Sequence, residues 1–142
     1  MGKVAVVYWS GTGNTEKMAN HVAAGAKAEG VDADIIQASD FNAGKVANYS
    51  AIAFGCPSMG DEVLEEEEFE PMFTDVEGSL ESVPVGLFGS YGWGDGEWMR
   101  QWEDRCRSKG IKLVSEGVMA NESPDVAAET DCKNLGGLLA RS

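Results

Sequence analysis

Ser10-Gly11-Thr12-Gly13-Asn14-Thr15 gathers three hydroxyls, one side-chain amide and six backbone N–H groups into six consecutive residues. Such a set of neutral donors suits an anion. Gly11 and Gly13 allow a tight turn and a close backbone approach to a ligand. The apolar run Val6-Val7-Tyr8 precedes the loop, and Met18, Ala19, Val22 and Ala26 follow at helical spacing. The loop therefore joins a strand to a helix N-terminus, where free N–H groups and the helix dipole favour negative charge.

Three better-known phosphate loops do not fit. A Walker A loop would place Gly-Lys-Ser/Thr four residues after Gly11, where Glu16, Lys17 and Met18 stand. The Gly-x-Gly-x-x-Gly fingerprint of dinucleotide sites fails at Glu16. A Cys-x5-Arg phosphatase loop fails as well, because Glu62, Lys112 and Leu138 lie six residues beyond the three cysteines. The loop reads as a holder of a terminal phosphate, without a catalytic lysine, arginine or thiol.

The elements that must position this loop follow from periodicity. Strands are expected over Lys3–Trp9, Ala33–Gln37, Ala51–Gly55, Val85–Ser90 and Lys112–Val118. Helical patterns cover Thr15–Glu29, a short Asn42–Asn48, Phe69–Leu80, Glu97–Lys109 and Asp125–Ala140. Alternation of this kind predicts an α/β fold: a three-layer, doubly wound, five-stranded parallel sheet in the order 2-1-3-4-5. Ligands of such sheets bind beyond the carboxyl ends of the strands, at the switch between strands one and three.

Two further strand ends carry long glycine-rich loops, Gly55-Cys56-Pro57-Ser58-Met59-Gly60-Asp61-Glu62 and Gly89-Ser90-Tyr91-Gly92-Trp93-Gly94-Asp95-Gly96. Trp93 is either a stacking platform at a ligand edge or a cover over a hydrophobic rim. Met59 is either a gap-filler or a ligand contact. Convergence of three loops on one crevice shifts both toward ligand.

A length of 142 residues fits one domain spanning 1–142, burying roughly 70% of the unfolded surface. No apolar run approaches the ~20 residues of a membrane span. The N-terminus lacks a basic region followed by an apolar stretch, so a cytoplasmic address is expected. Cys56, Cys106 and Cys132 read as buried or idle thiols. A net charge of −13 weighs against nucleic acid and suits a partner with a basic face. His21 reads as a surface histidine, Trp98 and Trp102 as core, and no metal site is expected.

Together the three loops resemble the flavodoxin family. Val6–Val22 fits its phosphate-loop signature, while Met59-Gly60-Asp61-Glu62 and Tyr91-Gly92-Trp93-Gly94-Asp95-Gly96 are similar to the loops of clostridial and related anaerobe members. Lys112–Val118 runs directly into Ala120-Asn121-Glu122, which indicates the short-chain type. The resemblance covers essentially the whole chain and implies non-covalently bound FMN. It places Ser10, Gly11, Thr12, Gly13, Asn14 and Thr15 around the phosphate, and Trp93 and Met59 on the two faces of the isoalloxazine. Backbone groups of Gly60, Asp61 and Glu62 and of Gly89, Ser90, Tyr91, Gly92 and Trp93, with Gly94 beside them, would border the ring. Glu62 would reach its N3 side, with Ser58, Trp9 and Asn121 as outer contacts. Pro57-Ser58 departs from the small, non-proline pair expected of close relatives.

The implied activity is low-potential one-electron transfer between redox enzymes, shuttling between neutral semiquinone and hydroquinone. Covered ring faces would exclude hydride transfer and leave only the dimethylbenzene edge exposed. A flip of the Gly60-Asp61 peptide would aim the Gly60 carbonyl at a protonated N5. Asp61, Glu62, Glu65–Glu68 and Glu70 place seven carboxylates near the ring with no base among them in the chain. One carboxylate ~10 Å away costs about 1.7 kcal/mol at an effective dielectric near 20, or ~70 mV for one electron before screening. The implied partners are ferredoxin-exchanging oxidoreductases with basic docking faces, met by a monomer. An FMN-dependent quinone or nitro reductase is the rival reading, and it would need an open flavin face. A receiver domain is disfavoured, since Trp9-Ser10 and Gly55-Cys56 stand where its acidic residues belong.

Overall fold

Central strands of a parallel sheet must be apolar on both sides, because helices cover both faces. In the computed structural model, which describes residues 2–60, 62–92 and 94–142, the strands are β1 (Lys3–Tyr8), β2 (Asp32–Gln37), β3 (Ala51–Gly55), β4 (Val85–Tyr91) and β5 (Val118–Asn121). All pairings are parallel and the order is 2-1-3-4-5, as expected. β3 is buried throughout, and β1 and β4 nearly so, whereas β2 and β5 are half-exposed edges.

Four helices close the two faces: α1 (Asn14–Ala28), α2 (Phe69–Val76), α3 (Glu97–Ser108) and α4 (Val126–Ala140). One core packs Met18 and Val22 of α1 and Leu135 of α4 against Val4, Val6 and Phe88. α1 and α4 touch backbone to backbone there, since a Cβ on Gly136 would collide with the Val22 carbonyl. The other core joins Phe69 and Phe73 of α2 to Trp98 and Trp102 of α3, with Trp102 edge-on to both phenyl rings at 5.4 and 5.7 Å. Trp98, Trp102 and Cys106 are core residues, as their spacing predicts. All three thiols are buried, and burial pushes Cys106 and Cys132 up to about 12, which keeps them protonated at neutral pH.

Some boundaries differ from the periodic reading. The short helix is 3-10 over Ala43–Asn48, and the Phe69–Leu80 pattern ends as α-helix at Val76 and continues as a 3-10 turn. The fifth strand moves furthest. Leu113 pairs alone with Val85, and regular pairing resumes only where Val118 meets Phe88. The edge thus carries two more residues than β4 over this stretch, and they bulge out. The Glu103 carboxylate holds the bulge by accepting the Gly117 N–H at 2.6 Å. An apolar run marks strand propensity, but the break at Ser115-Glu116-Gly117 is set by that contact from α3.

Entry into α2 depends on one side chain. Glu65 is buried and its carboxylate accepts the N–H groups of Glu67, Glu68 and Phe69 at 2.8–2.9 Å. Its own N–H donates to Cys56 Sγ at 3.3 Å. Burial works to raise the Glu65 pKa, but the three N–H bonds outweigh it and hold the carboxyl below its usual range. The stabilisation is therefore complete above the ordinary glutamate pKa of about 4.3 and fades as pH falls through the lowered value. Glu65→Ala is expected to lose about 1–2 kcal/mol in urea unfolding at neutral pH. The difference from the parent should shrink below about pH 4; a difference independent of pH would assign the loss to packing alone.

Candidate functional site

Backbone hydrogen bonds continue past the strand ends and set the spread of the loops. Trp9 N–H donates to the Gly55 carbonyl at 3.0 Å, Cys56 N–H to Phe88 at 3.1 Å, Ser58 N–H to Ser90 at 2.9 Å and Glu122 N–H to Tyr91 at 2.7 Å. The loops after β1, β3, β4 and β5 are thereby tied in a row at one end of the sheet.

At the first of them, Gly13 adopts φ +96° and starts α1 with a left-handed residue. The Ser10 hydroxyl oxygen accepts the Gly13 N–H at 3.1 Å and the Glu16 N–H at 3.3 Å. Two loop amides thus converge on one oxygen, as an anion's oxygen requires. Thr15, in the first turn of α1, is buried, and its hydroxyl lies 3.0 Å from that of Ser90 on β4.

Beside this loop lies a cavity of about 270 Å³, walled by Trp9, Gly11, Thr12 and Asn14, by Pro57, Ser58 and Met59, and by Ser90, Tyr91, Gly92 and Glu122. Tyr91 is held from behind by Trp98, with ring centroids 5.5 Å apart. The arrangement pairs an amide-lined anion loop with a slot of indole, proline, thioether and phenol. Those are the two halves that a flavin phosphate needs, so the residues fit FMN.

Several expected site residues stand elsewhere. Ser10 lines a neighbouring polar cavity of about 190 Å³ with Tyr8, Trp9, Glu16 and Glu68. Trp9 is the wall between the two, its indole N–H donating to Glu68 at 2.9 Å. Gly13, Thr15 and Gly60 are chain neighbours of residues in the cavity wall and are not part of it. Asp61 and Trp93 lie outside the described residues. Gly89 is a packing glycine: a Cβ there would meet the Cys56 carbonyl and the Trp98 ring. Glu62, at φ +57°, turns toward α3 and accepts the Glu97 N–H at 3.2 Å, with its carboxylate against Gly94. Asn121 ends β5, exposed, and its neighbour Glu122 reaches the cavity instead. Glu122 was legible only as the residue that follows a strand end.

The acidic stretch is less uniform than its sequence. Glu65 caps a turn, Glu68 takes the Trp9 indole, and Glu70 pairs with Arg105 at 2.7 Å. A base does stand among these carboxylates, supplied by α3: Arg105 also pairs with Glu77 at 2.9 Å and lies 5.0 Å over the Phe73 ring. Burial works to raise the Glu70 pKa, yet the bonds from Arg105 and Thr74 outweigh it and lower it. Glu66 and Glu67 remain exposed. His21 is half-buried beside Glu129 at 3.4 Å, and no metal-ligating cluster exists among the described residues.

A family model described as Flavodoxin matches residues 6–135. The chain is 48% identical to a flavodoxin of Megasphaera elsdenii over 139 residues, covering 98% of this chain and 99% of that one. It is 46% identical to a flavodoxin of Clostridium beijerinckii, covering 95% and 97%. The fold is similar to the solution structure of two-electron reduced M. elsdenii flavodoxin, with a TM-score of 0.90 at 47% identity over 98% and 99% of the two chains.

The two glycines flanking Ser90-Tyr91 should separate packing from ligand approach. Gly89→Ala is expected to destabilise by about 1–3 kcal/mol, because backbone stands where the methyl must go. Gly92→Ala, with open space at its Cβ, should leave the unfolding midpoint nearly unchanged. Equal effects would mean that β3 and β4 can part locally at Gly89.

Proposed function

The chain belongs to the flavodoxin family and is an FMN-binding electron carrier; from that premise we propose that it moves electrons one at a time and is not itself an enzyme. What supports this reading most directly is the joined geometry of the amide-lined loop and the aromatic slot. Residues 10–15 hold the phosphate through N–H and hydroxyl donors. Trp93 and Met59 would cover the two ring faces, as the family resemblance implies, with Ser58, Gly89, Ser90, Tyr91, Gly92, Gly94 and Asn121 around them. Bound FMN supplies two successive one-electron steps, the first of them coupled to a proton.

The protein's part is to hold that proton and to set the field around the ring. Gly60 has φ +36° and open space around it, so its peptide with Asp61 can turn at low steric cost. Its carbonyl would accept from ring N5 when that atom carries a proton, and Glu62 would accept from N3. A hydrogen bond made in only one redox state is worth roughly 1 kcal/mol net. Exposed carboxylates such as Glu66 and Glu67 raise the cost of the second electron, whereas Glu65 and Glu70 are already engaged with protein donors.

The same acidic face meets partners with basic docking faces, such as ferredoxin-exchanging oxidoreductases. The working unit is a cytoplasmic monomer of one domain, 1–142. No described helix is long and apolar enough to cross a membrane.

Stepwise dithionite reduction followed by visible spectroscopy tests the reading. A yellow protein that turns blue at half reduction and then pale is the expected course. Direct passage from oxidised to fully reduced flavin would favour the two-electron reductase, and failure to take up added FMN would remove the cofactor site. Gly60→Thr should lower the yield of the blue form; an unchanged yield would place the proton acceptor elsewhere. Replacing Glu66 and Glu67 by Gln should raise the lower potential at low salt, and a shift that survives high salt would not be a surface field.

A further inference from the structure

The contact between Thr15 and Ser90 joins residues 75 apart in sequence, one in the anion loop's helix and one at the end of β4. Thr15 is 1% exposed and Ser90 4%. Each hydroxyl carries one donor hydrogen, yet the pair makes a single bond, and neither oxygen has another side-chain partner among the described residues. One hydroxyl hydrogen is therefore left over in a place water barely reaches. A buried donor without an acceptor forfeits its hydration with nothing in return. The missing acceptor must lie on whichever side of the pair is open to a ligand. Thr15 stands between Asn14 and Glu16 in the first turn of α1, where the Glu16 amide points at the converging oxygen. Ser90 is part of the wall of the aromatic cavity but is fixed in the sheet, with its carbonyl occupied by the Ser58 N–H at 2.9 Å, so the converging amides of the anion loop lie on the Thr15 side of the pair.

We propose that Ser90 is a positioning residue for the phosphate half of the ligand. Its O–H donates to Thr15 Oγ1, which turns the Thr15 O–H outward onto a phosphate oxygen. Its place near the end of β4, leading into the glycine-rich loop, associates Ser90 with the flavin ring, but its side chain serves the other end of the molecule. The polarity of the relay follows from charge: a phosphate oxygen only accepts, so Thr15 must donate to it and accept from Ser90. The same bond couples the loop after β1 to β4, so that filling the anion loop orients a hydroxyl in the strand beneath the ring. The proposal rests on the FMN reading above.

Comparing FMN with riboflavin, which lacks the phosphate, separates the two halves. Ser90→Ala should weaken FMN binding roughly fivefold more than it weakens riboflavin binding, equivalent to about 1 kcal/mol of lost phosphate preference. In a Thr15→Val background, Ser90→Ala should cause no further loss, because the relay has no second member. Thr15→Ser, which keeps the hydroxyl, should retain the parent's preference for FMN. Equal loss of FMN and riboflavin on Ser90→Ala would overturn the proposal, and so would an effect that adds to Thr15→Val. If the alanine variant does not fold, Ser90→Cys fills the same space with a much weaker donor and carries the same comparison. A parent protein that binds neither ligand would fail the cofactor reading itself, whereas a parent that prefers FMN and a variant with the same preference would sink the relay alone.

Discussion

β1 lies between β2 and β3, and the rest of the site depends on that placement. The chain winds one way from β1 to β2 and the other way from β3 onward, so the loops leaving β1 and β3 diverge to opposite faces and open a crevice between them. Register makes the crevice usable. Tyr8 is level with Gly55, and Gly55 with Phe88, so the loops begin at nearly the same height. A slip of one residue in β1 would turn Val4, Val6 and Tyr8 toward the wrong helix layer. The two separate cores, one on each face, are what forbid that slip.

A phosphate in a protein of net charge −13 needs explaining. Long-range repulsion is screened beyond about 8–10 Å at ordinary ionic strength. Short-range donors are not screened, and a hydrogen bond to a charged group contributes about 1.5–3 kcal/mol. A few converging amides and hydroxyls at the α1 N-terminus therefore outweigh a diffuse field of distant carboxylates. Several of the nearby carboxylates are also consumed internally. Glu65 satisfies the turn into α2, and Glu70 with Glu77 brackets Arg105, which ties α2 to α3. The acidic character that remains free is carried by exposed side chains such as Glu66 and Glu67.

Local features were legible in the chain and distant ones were not. The anion loop could be read because its strand, turn residues and helix adjoin within about two dozen residues and each announces itself by period or composition. Sheet order followed from handedness once five strands and their crossovers were counted. The start of β5 escaped because Lys112–Val118 is apolar enough for a strand, while the bulge is imposed by Glu103 from another helix. The cap by Glu65 escaped because a run of four glutamates carries no mark of which one turns inward. The packing role of Gly89 carried no mark in the sequence: glycine next to a ligand and glycine under a neighbouring strand look the same until the Cys56 carbonyl is seen against it. Pairings such as Thr15 with Ser90 leave no local signal at all.

Two non-glycine residues with left-handed backbone, Glu62 and Glu122, stand out among those described, and both sit in the strand-end loops. Such conformations cost on the order of 1–3 kcal/mol each and persist only where the surroundings over-determine them. Both residues are held. Glu122 donates its N–H to the Tyr91 carbonyl at 2.7 Å, and Glu62 anchors its carboxylate on the Glu97 N–H at the start of α3. Selection for stability alone would favour glycine or asparagine at these places. The two glutamates face different ways: Glu122 joins the wall of the cavity, and the Glu62 carboxylate turns to the start of α3. The backbone strain at both places is offset locally, by the bond from Glu122 to β4 and by the bond that ties the loop after β3 to α3.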